Sequence, residues 1–404
     1  MRILIVAGYD RSLLNFRLPL IRDMLSVGCD VICCAPLENL DVPQKLGDFG
    51  VLFYRLPLKR TGLNPLFDVR TILALRQTIK RVAPDVVLAY THKPNVCLGL
   101  AMRGPHQTKV RAFGLVTGLG YSFELRGSIR QRFAAFALKV AYRLSAPALA
   151  GVFFQNVDDA KDFVDWGLVP ESGPYHVVPG SGVELGKYTF SSPSVEMAHF
   201  SMISRLMPSK GVREYAEAVL RVERSLPTAT FSLAGEIDDR DANSIRLHEL
   251  EKWSADRRLS YHGKLVDVRP LLHSCTVCVL PSYYREGVPR VLLEAMAVGR
   301  AIITTDSIGC RETVWLPAGA RRDSQNILHG QNGLLVPARD VEALAAAIRF
   351  LTERPELVRA MGRRSREIAE ERFDVRKVNA TMMKAMGLET IQHSPAGAEG
   401  TSGL

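Results

Sequence analysis

Apolar and polar positions follow two alternating patterns along this chain. Short apolar runs bounded by glycine, proline or charged residues read as strands buried on both faces: Arg2–Ala7, Val31–Ala35, Val51–Arg55, Val86–Ala89, Ala112–Val116, Val152–Phe154 and His176–Val178. Between them, stretches such as Pro19–Val27 and Val69–Val82 place apolar residues at i, i+3 and i+4, the helical spacing. Such alternation predicts a parallel sheet covered on both faces. Ser191-Ser192-Pro193-Ser194 interrupts it and reads as a linker. The pattern then restarts, with strands predicted at His199–Ser204, Thr230–Ala234, Leu259–His262, Val277–Leu280, Ala301–Thr304 and Gly333–Val336. Helices are predicted at Val212–Arg224, Pro289–Val298, Val341–Glu353 and Glu356–Arg372. The expectation is an α/β chain of two facing doubly wound, Rossmann-like domains, residues 1–190 and 191–372, with a cleft between them. Ligands of such sheets gather at the carboxyl ends of the strands. Residues 373–388 read as a last helix and 389–404, small and polar, as a disordered tail.

Composition narrows this picture. A chain of 404 residues suits two domains, and 47% hydrophobic with 23% charged residues is the balance of a globular protein. No apolar run approaches the ~18 residues of a membrane span, and the opening MRILIVAGYD is a strand rather than a signal peptide. Seven cysteines lie in apolar stretches; Cys275-Thr-Val-Cys278 has metal-site spacing but no second pair, so reduced structural thiols and a cytoplasmic location are expected. The net charge of +10 is uneven: residues 1–190 hold 23 Lys/Arg against 15 Asp/Glu, and the remainder 29 against 27. The first domain should therefore meet an acidic partner, such as nucleic acid, anionic lipid or a phosphorylated substrate.

The most informative segment is Pro281–Thr305, PSYYREGVPRVLLEAMAVGRAIITT. It reads as a loop after an apolar strand, a helix opened by Pro289 and closed at Gly299, then another strand. Glu286 lies on the loop and Glu294 on the helix, at most about 12 Å apart at helical rise. That is close to the span from the ribose to the hexose of a sugar nucleotide. Ser201–Gly211, SMISRLMPSKG, is a strand, turn and helix start in which Arg205 and Lys210 could clamp a diphosphate beside a helix N-terminus. Gly8, Gly235 and Gly263 end strands, where backbone comes close to ligand. After Gly8, Tyr9-Asp10-Arg11 does not continue a dinucleotide-binding G-x-G-x-x-G.

Glu286 through Glu294, with Gly287, Val288 and Pro289 after the first glutamate, resembles the E-x7-E motif of retaining glycosyltransferases of family 4. The resemblance runs from Met1 to about Leu388. It implies a GT-B fold whose residues 373–388 cross back to the first domain, with a UDP-sugar on the second domain and the acceptor on the first. It implies that Arg205 and Lys210 bind the donor diphosphate, that Glu286 contacts the donor sugar and Glu294 the ribose, and that the loop of Gly263 and Lys264 cradles the base. No metal or other cofactor is implied. The leaving phosphate itself would accept the acceptor's proton during same-face attack. Asn15-Phe16-Arg17, Thr91-His92-Lys93-Pro94-Asn95, Thr117-Gly118-Leu119-Gly120-Tyr121-Ser122-Phe123 and Gly180-Ser181-Gly182-Val183-Glu184 look like a subgroup that adds hexoses or N-acetylhexosamines to polyprenyl-diphosphate-linked glycans. Acceptor contacts are thus expected at Asn15, Arg17, His92, Lys93, Thr117 and Gly118. The histidine that many members carry beside Thr117–Gly118 is absent here.

Two further features remain. Arg126–Leu144 places Phe133, Phe136, Ala137, Val140, Ala141 and Leu144 on one stripe, with Arg126, Arg130, Arg132, Lys139 and Arg143 around it. That is either an ordinary core-facing helix or one lying on anionic lipid, which would make the protein peripheral on the cytoplasmic face of the inner membrane. Asp239-Arg240-Asp241 could hold a divalent cation between phosphates, but its charged surroundings read as a solvated turn. No nucleic-acid partner is expected. A sugar-nucleotide epimerase or phosphorylase on the same fold, or a non-catalytic envelope-assembly partner, are the competing functions.

Overall fold

The computed structural model describes residues 1–404 except 60–64, 104–108, 124–128, 195–196, 238–243, 256–258 and 389–404, and except the side chains of residues 65, 66, 121, 122 and 130. Asp239-Arg240-Asp241, Arg126 and the expected tail therefore lie outside the described residues. The first sheet contains β1 (Arg2–Val6), β2 (Asp30–Ala35), β3 (Leu52–Arg55), β4 (Val86–Tyr90), β5 (Arg111–Val116), β6 (Gly151–Phe154) and β7 (Tyr175–Val177), in the order β3-β2-β1-β4-β5-β6-β7. Every neighbouring pair is parallel. The second contains β8 (His199–Ile203), β9 (Thr230–Ala234), β10 (Leu259–Tyr261), β11 (Val277–Leu280), β12 (Ala301–Thr305), β13 (Leu328–His329) and β14 (Gly333–Val336), in the order β10-β9-β8-β11-β12-β14-β13. Only the β13–β14 pair is antiparallel.

Burial on both faces explains the unbroken apolar runs. Leu4 and Val6 enter one layer of core while Ile3 and Ile5 enter the layer on the opposite face of the same sheet. The second sheet is enclosed in a single large cluster that includes Phe200, Leu233, Val279, Ile303 and Leu335. In both sheets the chain builds outward for three strands and then returns to the other side of the first. The strand order thus reverses between β1 and β4 and between β8 and β11, and the loops after these strands flank a crevice.

Two predicted elements change shape. The run expected as one helix over Glu356–Arg372 is helix Pro355–Ile368 followed by a single π-turn, Ala369–Phe373; the last helix expected within residues 373–388 is Val375–Ala385, whose N-cap Asp374 accepts from the Arg376 amide. That last helix packs on helix Leu18–Ser26: Val378, Met382 and Met386 join the Ile3–Ile5 layer, and Asn379 donates to Asp23 at 2.7 Å. The apolar stripe of helix Ile129–Ser145 does not face the core. Ile129 is 85% exposed, Phe133 69% and Phe136 63%, with Val140 and Leu144 also exposed. The helix buries instead the opposite side, Ala135 and Tyr142, against helix His92–Met102 and its surroundings.

Candidate active site

Pro289 caps helix Arg290–Ala297 and presets its entry, and Gly299 (φ +84°) ends it. Leu292, Leu293, Ala295, Met296 and Ala297 are all buried, so the helix is held firmly and carries Glu294 to a fixed place. Glu294 is itself buried; its Oε1 accepts from the Tyr188 hydroxyl at 2.8 Å and from Arg290 Nε at 2.9 Å. Those two donors offset the cost of enclosing the carboxylate.

Glu286 sits on the preceding loop. Its Oε1 accepts from Lys210 Nζ and, at 3.1 Å, from Ser282 Oγ. Lys210 reaches it because the β8 and β11 loops are stitched together: the Tyr283 and Tyr284 amides both donate to the Ser209 carbonyl, at 2.9 and 3.1 Å. Gly211 adopts φ +78° there, and a Cβ on it would overlap the Pro281 carbonyl. Helix Val212–Val222 starts at once after Gly211, which brings its positive end beside the pair. Arg205, on the same β8 loop, is exposed. The arrangement therefore offers two cations, a helix N-terminus, the loop carboxylate of Glu286 and the helix carboxylate of Glu294 at a topological switch point.

The other expected residues divide into those at this site and those elsewhere. Gly235 is placed where a Cβ would strike the Ser204 carbonyl, which packs the β9 loop onto the β8 loop. Gly263 (φ +65°) has open space about it, and Lys264 pairs with Glu236 at 2.8 Å. Val288 is buried against Gly180. Gly287 and Gly118 meet backbone to backbone across the cleft, where a Cβ on Gly118 would overlap the Gly287 amide and one on Gly287 would stand 2.9 Å from the Thr117 carbonyl. Asn15 offers its carbonyl to Arg290. Arg17 is buried over the Tyr90 ring, 4.9 Å from its centroid, and burial lowers its pKa to about 10. Gly8 is buried, and a Cβ on it would stand 3.3 Å from both Thr91 and Pro94, a tight contact with the start of helix His92–Met102. Thr91 holds φ +69°, an outlier for a β-branched residue, at the carboxyl end of β4.

His92 and Lys93, expected to contact the acceptor, are both engaged within the first domain. The His92 ring is turned inward, Nδ1 at 3.0 Å from the Tyr142 hydroxyl and Nε2 at 3.3 Å from the Leu119 carbonyl, with Phe123 edge-on at 5.1 Å. Burial pulls its pKa down to about 4, which favours the neutral ring. Lys93 is taken up by Asp68 at 2.7 Å. The seven cysteines are buried and unpaired, and burial lifts Cys275 to about 11.

Several residues at the site carried no expectation. Arg290 lies four residues before Glu294 on one helix face, a spacing visible in the sequence. Tyr188 is 106 positions from Glu294, and no local pattern connects them. Asn156 opens helix Val157–Asp165 as an ordinary N-cap, yet its amide also reaches the backbone of Glu286 and Gly287.

Residues 198–354 match the family model for glycosyl transferases group 1. Over 330 residues the chain is 28% identical to an N,N'-diacetylbacillosaminyl-diphospho-undecaprenol alpha-1,3-N-acetylgalactosaminyltransferase of Campylobacter jejuni, covering 78% of this chain and 83% of the relative. The chain is a glycosyltransferase, similar over these residues to those of group 1. This glycosyltransferase has the GT-B fold. Its fold matches the sucrose-phosphate synthase of Thermosynechococcus elongatus with a TM-score of 0.75, at 17% identity and over 96% of this chain and 98% of that one. It likewise matches HepE of Anabaena in complex with UDP, with a TM-score of 0.72, at 18% identity and over 96% and 100% of the two chains. Among the described residues of the glycosyltransferase, no helix is long and apolar enough to cross a membrane.

Proposed function

We propose that this glycosyltransferase, a member of family 4, moves a hexose or N-acetylhexosamine from a UDP-sugar, with retention, to a polyprenyl-diphosphate-linked glycan. The observation that carries this reading is the Lys210–Glu286 pair, joined by Ser282, at the β8/β11 switch point. Without donor, carboxylate and ammonium neutralise each other. A donor diphosphate beside helix Val212–Val222 would draw Lys210 and Arg205, freeing Glu286 for the sugar hydroxyls, and Glu294 would hold the ribose. As the sugar's bond to the diphosphate breaks, negative charge grows on the leaving oxygens, and the two cations and the helix end stabilise it without a metal. The acceptor oxygen attacks on the same face, and its proton passes to the leaving phosphate. The Campylobacter relative supports the lipid-diphosphate acceptor, and the UDP complex of HepE is consistent with the donor.

Such an acceptor is met at a membrane, and helix Ile129–Ser145 suits the cytoplasmic face of the inner membrane. Its exposed stripe includes Ile129, Phe133 and Phe136, and the helix contains four basic residues and no acidic one. Two copies packed through this face would bring like charges together, whereas anionic lipid complements them.

Transfer of radiolabel from a panel of UDP-sugars into lipid extract tests the reading. Label should enter the organic phase for one sugar in the panel. Free UDP or an epimerised sugar nucleotide with no labelled lipid would overturn it.

A further inference from the structure

The loop that carries Glu286 belongs to the second domain, but its backbone is held by the first. Three consecutive carbonyls accept hydrogen bonds across the cleft. The Gly120 amide donates to the Arg285 carbonyl at 3.0 Å, and Asn156 Nδ2 donates to the carbonyls of Glu286 at 3.2 Å and Gly287 at 3.0 Å. The Arg285 side chain reaches the same helix from the other direction, with Nη2 at 2.9 Å from Asp159 Oδ1 and 2.6 Å from Asp162 Oδ2. Asp159 is fully buried, and Asn156 fixes it at both ends: Oδ1 accepts from the Asp159 amide at 2.7 Å, and Nδ2 is 3.0 Å from its Oδ2. Asn156 is buried as well.

We propose that Asn156 is a positioning residue of the transfer reaction, setting the Glu286 carboxylate by gripping its backbone from the opposite domain. The inference rests on the reading of Glu286 given above. An N-cap needs only an acceptor oxygen, which serine, threonine or aspartate supplies equally well. Only an amide side chain caps the helix and also donates to two carbonyls. The second function lies outside helix Val157–Asp165 altogether and points at one place, the peptide units on either side of the Glu286–Gly287 bond. Arg285 adds an ion pair that fixes the direction of the same loop. The Glu286 side chain then meets Lys210 and Ser282 on its own domain, so its carboxylate is aligned only when both domains hold the loop.

Asn156→Ser separates the two roles, because serine keeps the cap and cannot reach the carbonyls. The expected result is a kcat at least tenfold lower, with UDP affinity by calorimetry changed less than about threefold; loss of the buried donor lowers Tm, but unfolding stays cooperative and well above the assay temperature. In a Glu286→Gln background, where alignment no longer matters, Asn156→Ser should add less than twofold. A wild-type kcat for Asn156→Ser overturns the positioning role while leaving Glu286 in place. So does the same fold-loss in both backgrounds, which marks a general effect on the fold. Wild-type transfer by Glu286→Gln itself overturns the underlying reading of Glu286, and the positioning role with it. If Asn156→Ser does not fold, Asn156→Thr, which retains the cap oxygen, fills more of the space and lacks the amide donor, serves in its place with the same expectations.

Discussion

Replacing Phe133 and Phe136 together with serine should detach the protein from anionic vesicles without unfolding it. The two rings are 69% and 63% exposed, so together they present about 1.3 side chains' worth of apolar surface to the outside. Burying one such side chain fully contributes roughly 1.5–3 kcal/mol, so under the proposed membrane contact the pair would account for about 3 kcal/mol of insertion. At tenfold per 1.4 kcal/mol, the partition coefficient should fall roughly 100-fold. Because neither ring is part of the core, Tm should hold, as for other exposed substitutions within about 0.5 kcal/mol. The assay is co-sedimentation with phosphatidylglycerol and with phosphatidylcholine vesicles, at low and high salt. Arg132→Glu, on the basic flank, should weaken only the salt-sensitive part, by about 1 kcal/mol per charge removed. Equal binding by the double variant, or a Tm drop of several degrees, would show that this face serves something other than lipid.

Three more outcomes follow from the site. Tyr188→Phe leaves buried Glu294 with Arg290 alone, and losing a hydrogen bond to a charged group costs about 1.5–3 kcal/mol; calorimetry should show a lower Tm and weaker UDP binding, and unchanged values would remove Tyr188 from the site. Burial raises the Asp159 carboxyl from 3.8 to about 6 despite its pairing with Arg285. The folded state then holds this proton more tightly than the unfolded chain, so the contribution is complete below about pH 4 and is lost as pH rises through 6. Wild type should gain about 2.5 kcal/mol over Asp159→Asn in going from pH 7 to pH 4 in urea unfolding, and a flat difference would refute the assignment. Gly118→Ala puts a Cβ into the Gly287 backbone at φ +102°; a backbone penalty of about 1–3 kcal/mol should appear as a lower Tm together with reduced kcat, and wild-type behaviour in both would mean that the loops need not touch.

The strands were legible because a parallel strand buried on both faces must be continuously apolar, and β9, β11 and β14 fall on their expected spans to the residue. Helix Arg290–Ala297 was legible for a similar reason, since Pro289 and Gly299 mark its ends by backbone geometry alone. Less could be read from short elements. Helices Asp41–Gly47 and Arg269–Ser274 and strand β13 are too brief for a period to emerge, and the π-turn at Ala369–Phe373 looks in sequence like unbroken helix.

Local order thus belonged to the sequence, and so did the two glutamates, Arg205 and Lys210, whose loops are marked by neighbouring glycine and proline. Which partners these groups have was decided only by tertiary structure. Lys210 and Glu286 are 76 positions apart, Tyr188 and Glu294 are 106, and Asn156 and Gly287 are 131. Loop closure over such lengths leaves no periodic trace, because the contact depends on how sheets and domains pack rather than on spacing. The same holds for His92, whose partners Tyr142 and Leu119 lie 50 and 27 positions away. It holds for helix Ile129–Ser145 as well. Periodicity identified its apolar stripe, but only packing against helix His92–Met102 determined that Ala135 and Tyr142 turn inward and the phenylalanines outward.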